Sequence, residues 1–295
     1  MKFGGTSVGN AQCILGVADI IKSCEDRNPV VVVSAMAGVT DQLVAIVELL
    51  KEKQYDTVLE KIEHIELTHI TTLTRICDSQ KCKIDLYHHV TTVIHELKTY
   101  LHYVKDKDIT PEISDYIVTF GERLSARIVA EACNMKGVHS QPMDSSRLIV
   151  TDDEFGNAKA LLARTQKQVE FILVPLVEKG IVPIVTGFFG KTRDGKIATL
   201  GRGGSDYVAS ILAYAAEAEE IIIWKEVDGV YTKDPNKFDD AEFIPELSYN
   251  KAAQMARAGA KVLHKETMEP AKKKKIPIWV RNTFQPDGKG TRIGE

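Results

Sequence analysis

Two glycine pairs, two lysines and one aspartate are the residues whose types and placing suit phosphate chemistry. Gly4-Gly5 and Gly203-Gly204 each follow a short apolar stretch and precede a segment of helical character. Glycine lets backbone N–H groups approach an anion closely, and a helix N-terminus adds partial positive charge. One such pair is as well explained by a tight turn; recurrence beside basic residues points to a ligand. Lys2 stands just before the first glycine loop, and Lys261 follows Gly259-Ala260 at a later one. Two lysines directed at one polyphosphate would offset the charge spread over a transferring phosphoryl group. Asp206 opens the segment after Gly203-Gly204 and can hold both lysines in place, although alone it reads as an ordinary first-turn helix carboxylate. Glu122 and Arg202, an acid and a guanidinium in different loops, could grip a zwitterionic amino acid. Arg202 would take the carboxylate as a fork and Glu122 the amine.

Other chemistries are weaker or absent. No G-x-x-x-x-G-K-[ST] occurs, which argues against a Walker-type NTPase. No G-x-G-x-x-G follows the first strand, and Gly201-Arg202-Gly203-Gly204 misses that pattern, which disfavours a dinucleotide oxidoreductase. His88, His95 and His102 recur every seven residues and would share a helical stripe, but the spacing is wide for a compact chelate. They read as a solvated or interface stripe, Cys77 and Cys82 have the same bland reading, and no metal-ligand residues are assigned. The basic run Lys272 to Lys275 reads as a solvated helix end, and His264 as structural.

The elements that must position these residues alternate strand, glycine loop and helix. Residues 1–3 form the stub of a strand, and apolar Ile14, Leu15, Val17, Ala18 and Ile21 predict a helix. Pro29 to Val33 is a β-branched run, hence a buried strand, ending in a loop that feeds a helix from about Asp41. Residues 42–108 predict two or three long helices. Ile117 to Phe120 reads as a strand edge or turn entering another helix. Ile181 to Val185 is a strand, and Arg193-Asp194-Gly195-Lys196 a hairpin turn. An alanine-rich helix from Tyr207 to Ala218 precedes a strand at Glu220 to Trp224, a loop from Lys225 to Asn236, and a helix from about Tyr249 to Ala258. Ile278 to Arg281 is read as the last strand. This order predicts an α/β fold: a three-layer α/β/α sandwich with a mainly parallel central sheet. Its glycine loops converge at the carboxyl ends of the strands, where such sheets bind ligands. With no linker between independent units, residues 1–295 read as a single domain of two lobes.

The bulk numbers agree. A 295-residue chain with 44% hydrophobic and 27% charged residues can bury a sizeable core, and a formal charge of −3 gives no electrostatic reason to expect nucleic acid or a membrane as partner. There is no secretory signal and no apolar run near the ~20 residues that span a bilayer. Five scattered cysteines suit a reducing cytosol better than a disulfide framework, so the expected location is cytoplasmic.

Six blocks, in order, give the chain a further likeness. They are Lys2-Phe3-Gly4-Gly5-Thr6-Ser7-Val8, Val33 to Asp41, Phe120-Gly121-Glu122-Arg123-Leu124-Ser125, Leu200 to Asp206, Val227 to Thr232, and Gly259-Ala260-Lys261-Val262-Leu263-His264. Together they resemble the aspartate kinases (aspartokinases) of the amino-acid kinase superfamily over essentially the whole chain. The resemblance implies the amino-acid kinase fold and transfer of the ATP γ-phosphoryl group to the side-chain carboxylate of L-aspartate, with Mg2+ bridging the β- and γ-phosphates. It implies catalytic roles for Lys2, Asp206 and Lys261, and aspartate binding by Ser34, Thr40, Glu122, Arg202 and Ser205. Nucleotide contacts would come from Lys2, Gly4, Gly5, Lys225, Glu226, Tyr231 and Lys261. An amino-acid lobe at about 1–190, a nucleotide lobe at about 191–295 and a homodimer are implied too.

The pattern departs from the family in places. Met1 directly precedes Lys2 where members carry a longer first strand, Asn236 replaces a common arginine, and Lys265-Glu266 replaces Pro-Arg. The ACT regulatory domains that follow in the family are not in this sequence, so no intrinsic inhibition by lysine or threonine is expected of this chain. Two other readings stay open: a sibling acting on acetylglutamate, glutamate, carbamate or UMP, which the paired Glu122 and Arg202 blocks oppose, and a non-catalytic subunit on the same fold.

Overall fold

β-Branched residues on both sides of a strand need two apolar neighbours, and the short Val and Ile runs obtain them in the middle of an eight-stranded sheet. The structure is a computed structural model and describes residues 1–233, 238, 240–257 and 263–295. The strands are β1 (Lys2–Phe3), β2 (Val31–Val33), β3 (Ser140–Met143), β4 (Val182–Thr186), β5 (Phe189–Lys191), β6 (Ile197–Thr199), β7 (Ile221–Lys225), β8 (Val230–Tyr231), β9 (Phe243–Ile244), β10 (Glu246–Ser248), β11 (Ile278–Asn282) and β12 (Thr291–Gly294). The main sheet runs β10-β12-β11-β7-β1-β2-β4-β3, and the six strands from β11 to β3 are parallel. β1 therefore sits at the switch point, with β2, β4 and β3 on one side and the later strands on the other. This is where open parallel sheets form their ligand crevice.

Helices α1 (Ala11–Lys22), α2 (Val39–Lys51), α3 (Tyr55–Ile76), α4 (Gln80–Val104), α5 (Pro111–Val118) and α6 (Phe120–Met135) come before β3 in the chain. After it come α7 (Leu162–Gln168), α8 (Val174–Glu178), α9 (Gly204–Ala215), α10 (Tyr249–Arg257) and α11 (Lys265–Lys274). Val31, Val33, Phe3 and Trp224 join a core with residues of α1 to α4 and α6, whereas Val32, Val185 and Ile223 join a second core with residues of α9 and α11. Alternate residues of each strand thus feed opposite cores, which gives the expected three layers.

Several expectations need correction. Ile117 to Phe120 is no strand edge: Thr110 caps α5, its hydroxyl accepting from the Ile113 N–H at 3.4 Å, and α6 follows after Thr119. The β-branched run is helical because Ile117 and Phe120 are both fully buried in the first core, so tertiary packing overrides propensity. Ile278–Asn282 is not the last strand, because β12 pairs antiparallel with it and carries β10 outside. β3 was not expected: Pro142 and polar Gln141 hide it, and an edge strand tolerates both. The loop after Lys225 contains β8, paired with β9. Cys77 and Cys82 are joined by a disulfide across the turn between α3 and α4, their Cα atoms 5.6 Å apart, contrary to the reading of unpaired cysteines. The histidine stripe His88, His95 and His102 is exposed along α4, and no group of three metal-binding side chains occurs among the described residues.

Candidate active site

Lys2 alternates with Phe3, so its side chain leaves β1 on the face opposite Phe3, towards α9. Its ammonium Nζ lies 2.7 Å from Asp206 Oδ1, both side chains being about nine-tenths buried. Lys225, at the end of the neighbouring strand β7, places its Nζ 3.7 Å from the other oxygen, Oδ2. Burial by itself would raise the Asp206 carboxyl, but the two lysines outweigh it and hold the group below the usual carboxylate range. Asp206 can stand here because Gly203, at φ +74°, turns the chain into α9 and leaves Ser205 and Asp206 in the first helical turn. That turn adds the partial positive charge of free backbone N–H groups.

Glu122 occupies the first turn of α6 and is almost fully buried. The Ala35 N–H donates to Oε1 at 3.1 Å, while Oε2 has no hydrogen-bond partner. Burial pushes its pKa up to about 8, with the Ala35 N–H and the Lys2 charge pulling the other way. Gly121 makes this placement possible: a Cβ there would stand 2.6 Å from Ala35 Cβ. Ser125, one turn on, donates its hydroxyl to the Ser34 carbonyl at 2.7 Å and fixes the loop after β2.

Lys2, Gly5, Ser34, Thr40, Glu122, Arg202, Ser205 and Asp206 line one cleft of about 660 Å³ at the carboxyl ends of the strands. Gly4 adjoins it, a Cβ there falling 3.6 Å from Lys2 Nζ. The N-termini of α2, which starts after left-handed Gly38, and of α9 both open onto the cleft. Two helix ends, a lysine and a buried acid with a free oxygen can hold an anionic group at one end and an ammonium at the other. Lys225, Glu226 and Tyr231 lie outside that lining, at the end of β7 and on β8, where Tyr231 stacks edge-on against Phe243. Beside them Asn282 donates its side-chain N–H to Asp228 at 2.7 Å, and Ser7 and Thr283 share a hydroxyl hydrogen bond at 2.6 Å. Lys261, with Gly259-Ala260 before it, lies outside the described residues, as does Asn236.

The sequence reading did not single out Phe188, which lines the cleft with φ +78°. A bulky residue in left-handed conformation is rare and marks a constrained site. Its position directly after Gly187 at the end of a strand was the available signal. Asp115, which braces the loop before Arg202, left no signal, because its partners meet only in the folded chain.

A family profile described as the amino acid kinase family matches residues 1–282. Aspartokinase 1, chloroplastic, of Arabidopsis thaliana is 37% identical over 296 residues, which take in 99% of this chain and 51% of that protein. The lysine-sensitive aspartokinase 3 of Escherichia coli (strain K12) is 35% identical over 293 residues, 99% of this chain and 63% of that one. The crystal structure of E. coli aspartokinase III in complex with aspartate and ADP matches with a TM-score of 0.91 and 33% identity, covering 100% of this chain and 64% of that chain. This chain thus spans between about half and two thirds of these relatives. No helix among the described residues is long and apolar enough to cross a membrane.

Proposed function

The chain belongs to the amino acid kinase family, and from that premise we propose that it phosphorylates L-aspartate with ATP, giving 4-phospho-L-aspartate and ADP. The observation that carries the reading is the buried Lys2–Asp206 pair at 2.7 Å, set in a cleft that also holds Glu122 and two helix N-termini. A solved relative at 33% identity was crystallised with aspartate and ADP, which supports the same ligands here.

The roles assigned are those that the residue types and the family likeness suggest. Arg202 takes the α-carboxylate of aspartate and Glu122 its ammonium, with Ser34, Thr40 and Ser205 around them. The β-carboxylate is already ionised at neutral pH, so no general base is needed. One of its oxygens attacks the γ-phosphorus, the bond from phosphorus to the β,γ-bridging oxygen breaks, and ADP leaves with that electron pair. Catalysis is positioning and charge stabilisation. Lys2 offsets charge on the transferring group, Gly4 and Gly5 offer it backbone N–H donors, and Asp206 keeps Lys2 aimed. Lys261 is assigned the second lysine's place. Lys225, Glu226 and Tyr231 are assigned to the nucleotide, which puts the amino-acid lobe at about 1–190 and the nucleotide lobe at about 191–295. Mg2+ would enter on the ATP phosphates as part of that substrate, a mode of binding that requires no dedicated cage of protein carboxylates. A homodimer and a cytoplasmic location complete the reading.

Incubation with ATP, Mg2+, L-aspartate and hydroxylamine tests it. Aspartyl hydroxamate should form, and N-acetylglutamate, glutamate, carbamate and UMP should give no comparable product. Binding of ATP and aspartate without turnover would establish a non-catalytic subunit instead.

A further inference from the structure

Glu122 and Arg202 must stand a fixed distance apart to take the two ends of one amino acid, yet they arise from different segments. Glu122 lies in the first turn of α6; Arg202 sits in the loop between β6 and α9. A buried side chain outside the cleft joins those segments, alongside an exposed ion pair between Lys196 of the hairpin and Glu112 of α5 at 2.7 Å. Asp115, in α5 and 4% exposed, accepts from the Gly156 N–H and the Thr199 N–H at Oδ2, each at 2.8 Å, and from the Thr199 hydroxyl at Oδ1, also at 2.8 Å. Thr199 is the last residue of β6 and leads through Leu200 and Gly201 to Arg202. The loop that Gly156 anchors supports Gly201 from behind: a Cβ on Gly201 would fall 2.5 Å from Asn157 Oδ1. On the other side, α5 is separated from α6 by Thr119 alone, and Glu122 lies in the first turn of α6.

We propose that Asp115 is a positioning residue that sets the spacing of Glu122 and Arg202, and thereby the length of amino acid the cleft accepts. The proposal rests on the reading of those two residues as the grips for aspartate's amine and α-carboxylate. A carboxylate spends its acceptor capacity here on three donors from two other segments, so the α5–α6 unit and the Arg202 loop share a buried anchoring point. Without it, the loop keeps its ties to the hairpin, to the Ala158 N–H, which donates to the Thr199 carbonyl, and to the Phe188 carbonyl, which accepts from the Leu200 N–H, each at 2.8 Å, while the link to α5 falls to the exposed Lys196–Glu112 pair, which solvent screens.

Asparagine can replace this carboxylate without losing a bond. Its Oδ1 can accept from both N–H groups, while its Nδ2 donates to the Thr199 hydroxyl, which is free to accept. Alanine removes all three. Asp115→Ala should raise the KM for aspartate about tenfold or more, with the KM for ATP changing less than about twofold, since misplacement of one grip costs productive binding of that substrate. Asp115→Asn should return the aspartate KM to within about threefold of the parent chain. Thr199→Val, which removes only the hydroxyl, should fall between them and serves as the second variant if Asp115→Ala does not fold. Equal rises in both KM values, or an Asp115→Asn chain as impaired as Asp115→Ala, would overturn the proposal.

Hydrogen exchange separates this failure from failure of the functional reading. The Gly156 and Thr199 amides should exchange faster in Asp115→Ala and as in the parent chain in Asp115→Asn, whether or not aspartate is phosphorylated. A parent chain that makes no aspartyl phosphate but shows this exchange pattern refutes the substrate and leaves the brace standing; unchanged exchange in Asp115→Ala refutes the brace itself.

Discussion

Lys2 and Asp206 lie far apart in the sequence and meet at 2.7 Å in the interior of the cleft. Removing the acid leaves Lys2 buried beside Lys225, with no carboxylate between them. Breaking a buried pair in this way costs about 3 kcal/mol or more. Asp206→Asn should therefore lower stability by that order and turnover by roughly a hundredfold or more, as loss of aimed electrostatic stabilisation does. The two lysines hold the Asp206 pKa below its unfolded value, so the pair's contribution is present above the ordinary carboxylate range and lost as pH falls through the folded pKa. Denaturant titrations at pH 7 and in the acid range check this: the gap between parent and variant should narrow in acid, and a constant gap would refute the electrostatic account.

Glu122 makes an opposite prediction. Its pKa is pushed up to about 8 by burial, so in the ligand-free protein at neutral pH it is largely protonated. An ammonium docking on it favours the ionised form, and binding must then release a proton. Aspartate affinity should rise with pH by up to about tenfold per unit below that pKa. Glu122→Gln should bind more weakly and lose the slope. Calorimetry in buffers of different ionisation enthalpy measures the proton directly; no proton release at pH 7 would remove Glu122 from the amine. Stability has the reverse sign. A raised folded pKa gives a contribution complete below the unfolded carboxylate pKa and lost as pH rises through about 8, so Glu122→Gln should gain a few kcal/mol on the parent by pH 9.

The legibility of these residues in the sequence differs for physical reasons. The strands of the central sheet were readable where they are buried on both faces, because that demands an unbroken β-branched run such as Val30 to Val33. β3 and β12 were not, since edge and antiparallel strands carry Pro142 and Arg292 and dilute the signal. In the cleft, α2 begins at Val39 after Gly38, two residues before the start read at about Asp41, whereas Gly203-Gly204 announced a helix start, since glycine adopts the left-handed turn there at low cost. Phe188 did not, because its left-handed backbone is imposed by neighbours. Asp115 and the Cys77–Cys82 bridge depend on segments brought together only by folding, and periodicity carries no trace of such meetings.

Gly187 should tolerate no side chain, although it lies at an unremarkable strand end. A Cβ there would stand 2.5 Å from Ser205 Oγ and 3.0 Å from the Val33 carbonyl oxygen, so neither a short serine nor a backbone strand can move aside cheaply. Gly187→Ala should cost about 1–3 kcal/mol and displace the start of α9, lowering turnover more than the stability loss explains. Gly16, on the outer face of α1, is the control: nothing lies within 4 Å of its Cβ position. Gly16→Ala should stabilise by about 0.5–1 kcal/mol and leave activity alone. Melting curves and assays on the two single variants check this, and equal effects at both sites would refute it.

The Cys77–Cys82 bridge closes a short loop, with a sequence separation of 5, at the outer turn between two long helices. A link of this length restricts the unfolded chain enough to stabilise by roughly 2 kcal/mol in the chain-entropy account. Neither cysteine lines the cleft; α3 packs on α2 and α6, and α4 packs on α6, where His89 contacts the Arg123 carbonyl at 3.2 Å. Cys77→Ser with Cys82→Ser should therefore lower the melting temperature and leave KM and kcat close to the parent values at temperatures where both chains are folded. A dithiol reductant should bring the parent down to the variant's melting temperature without affecting the variant. A parent insensitive to reductant would show the thiols unpaired in solution, and a change in KM for aspartate would show that the two helices act on the cleft through α2 or α6.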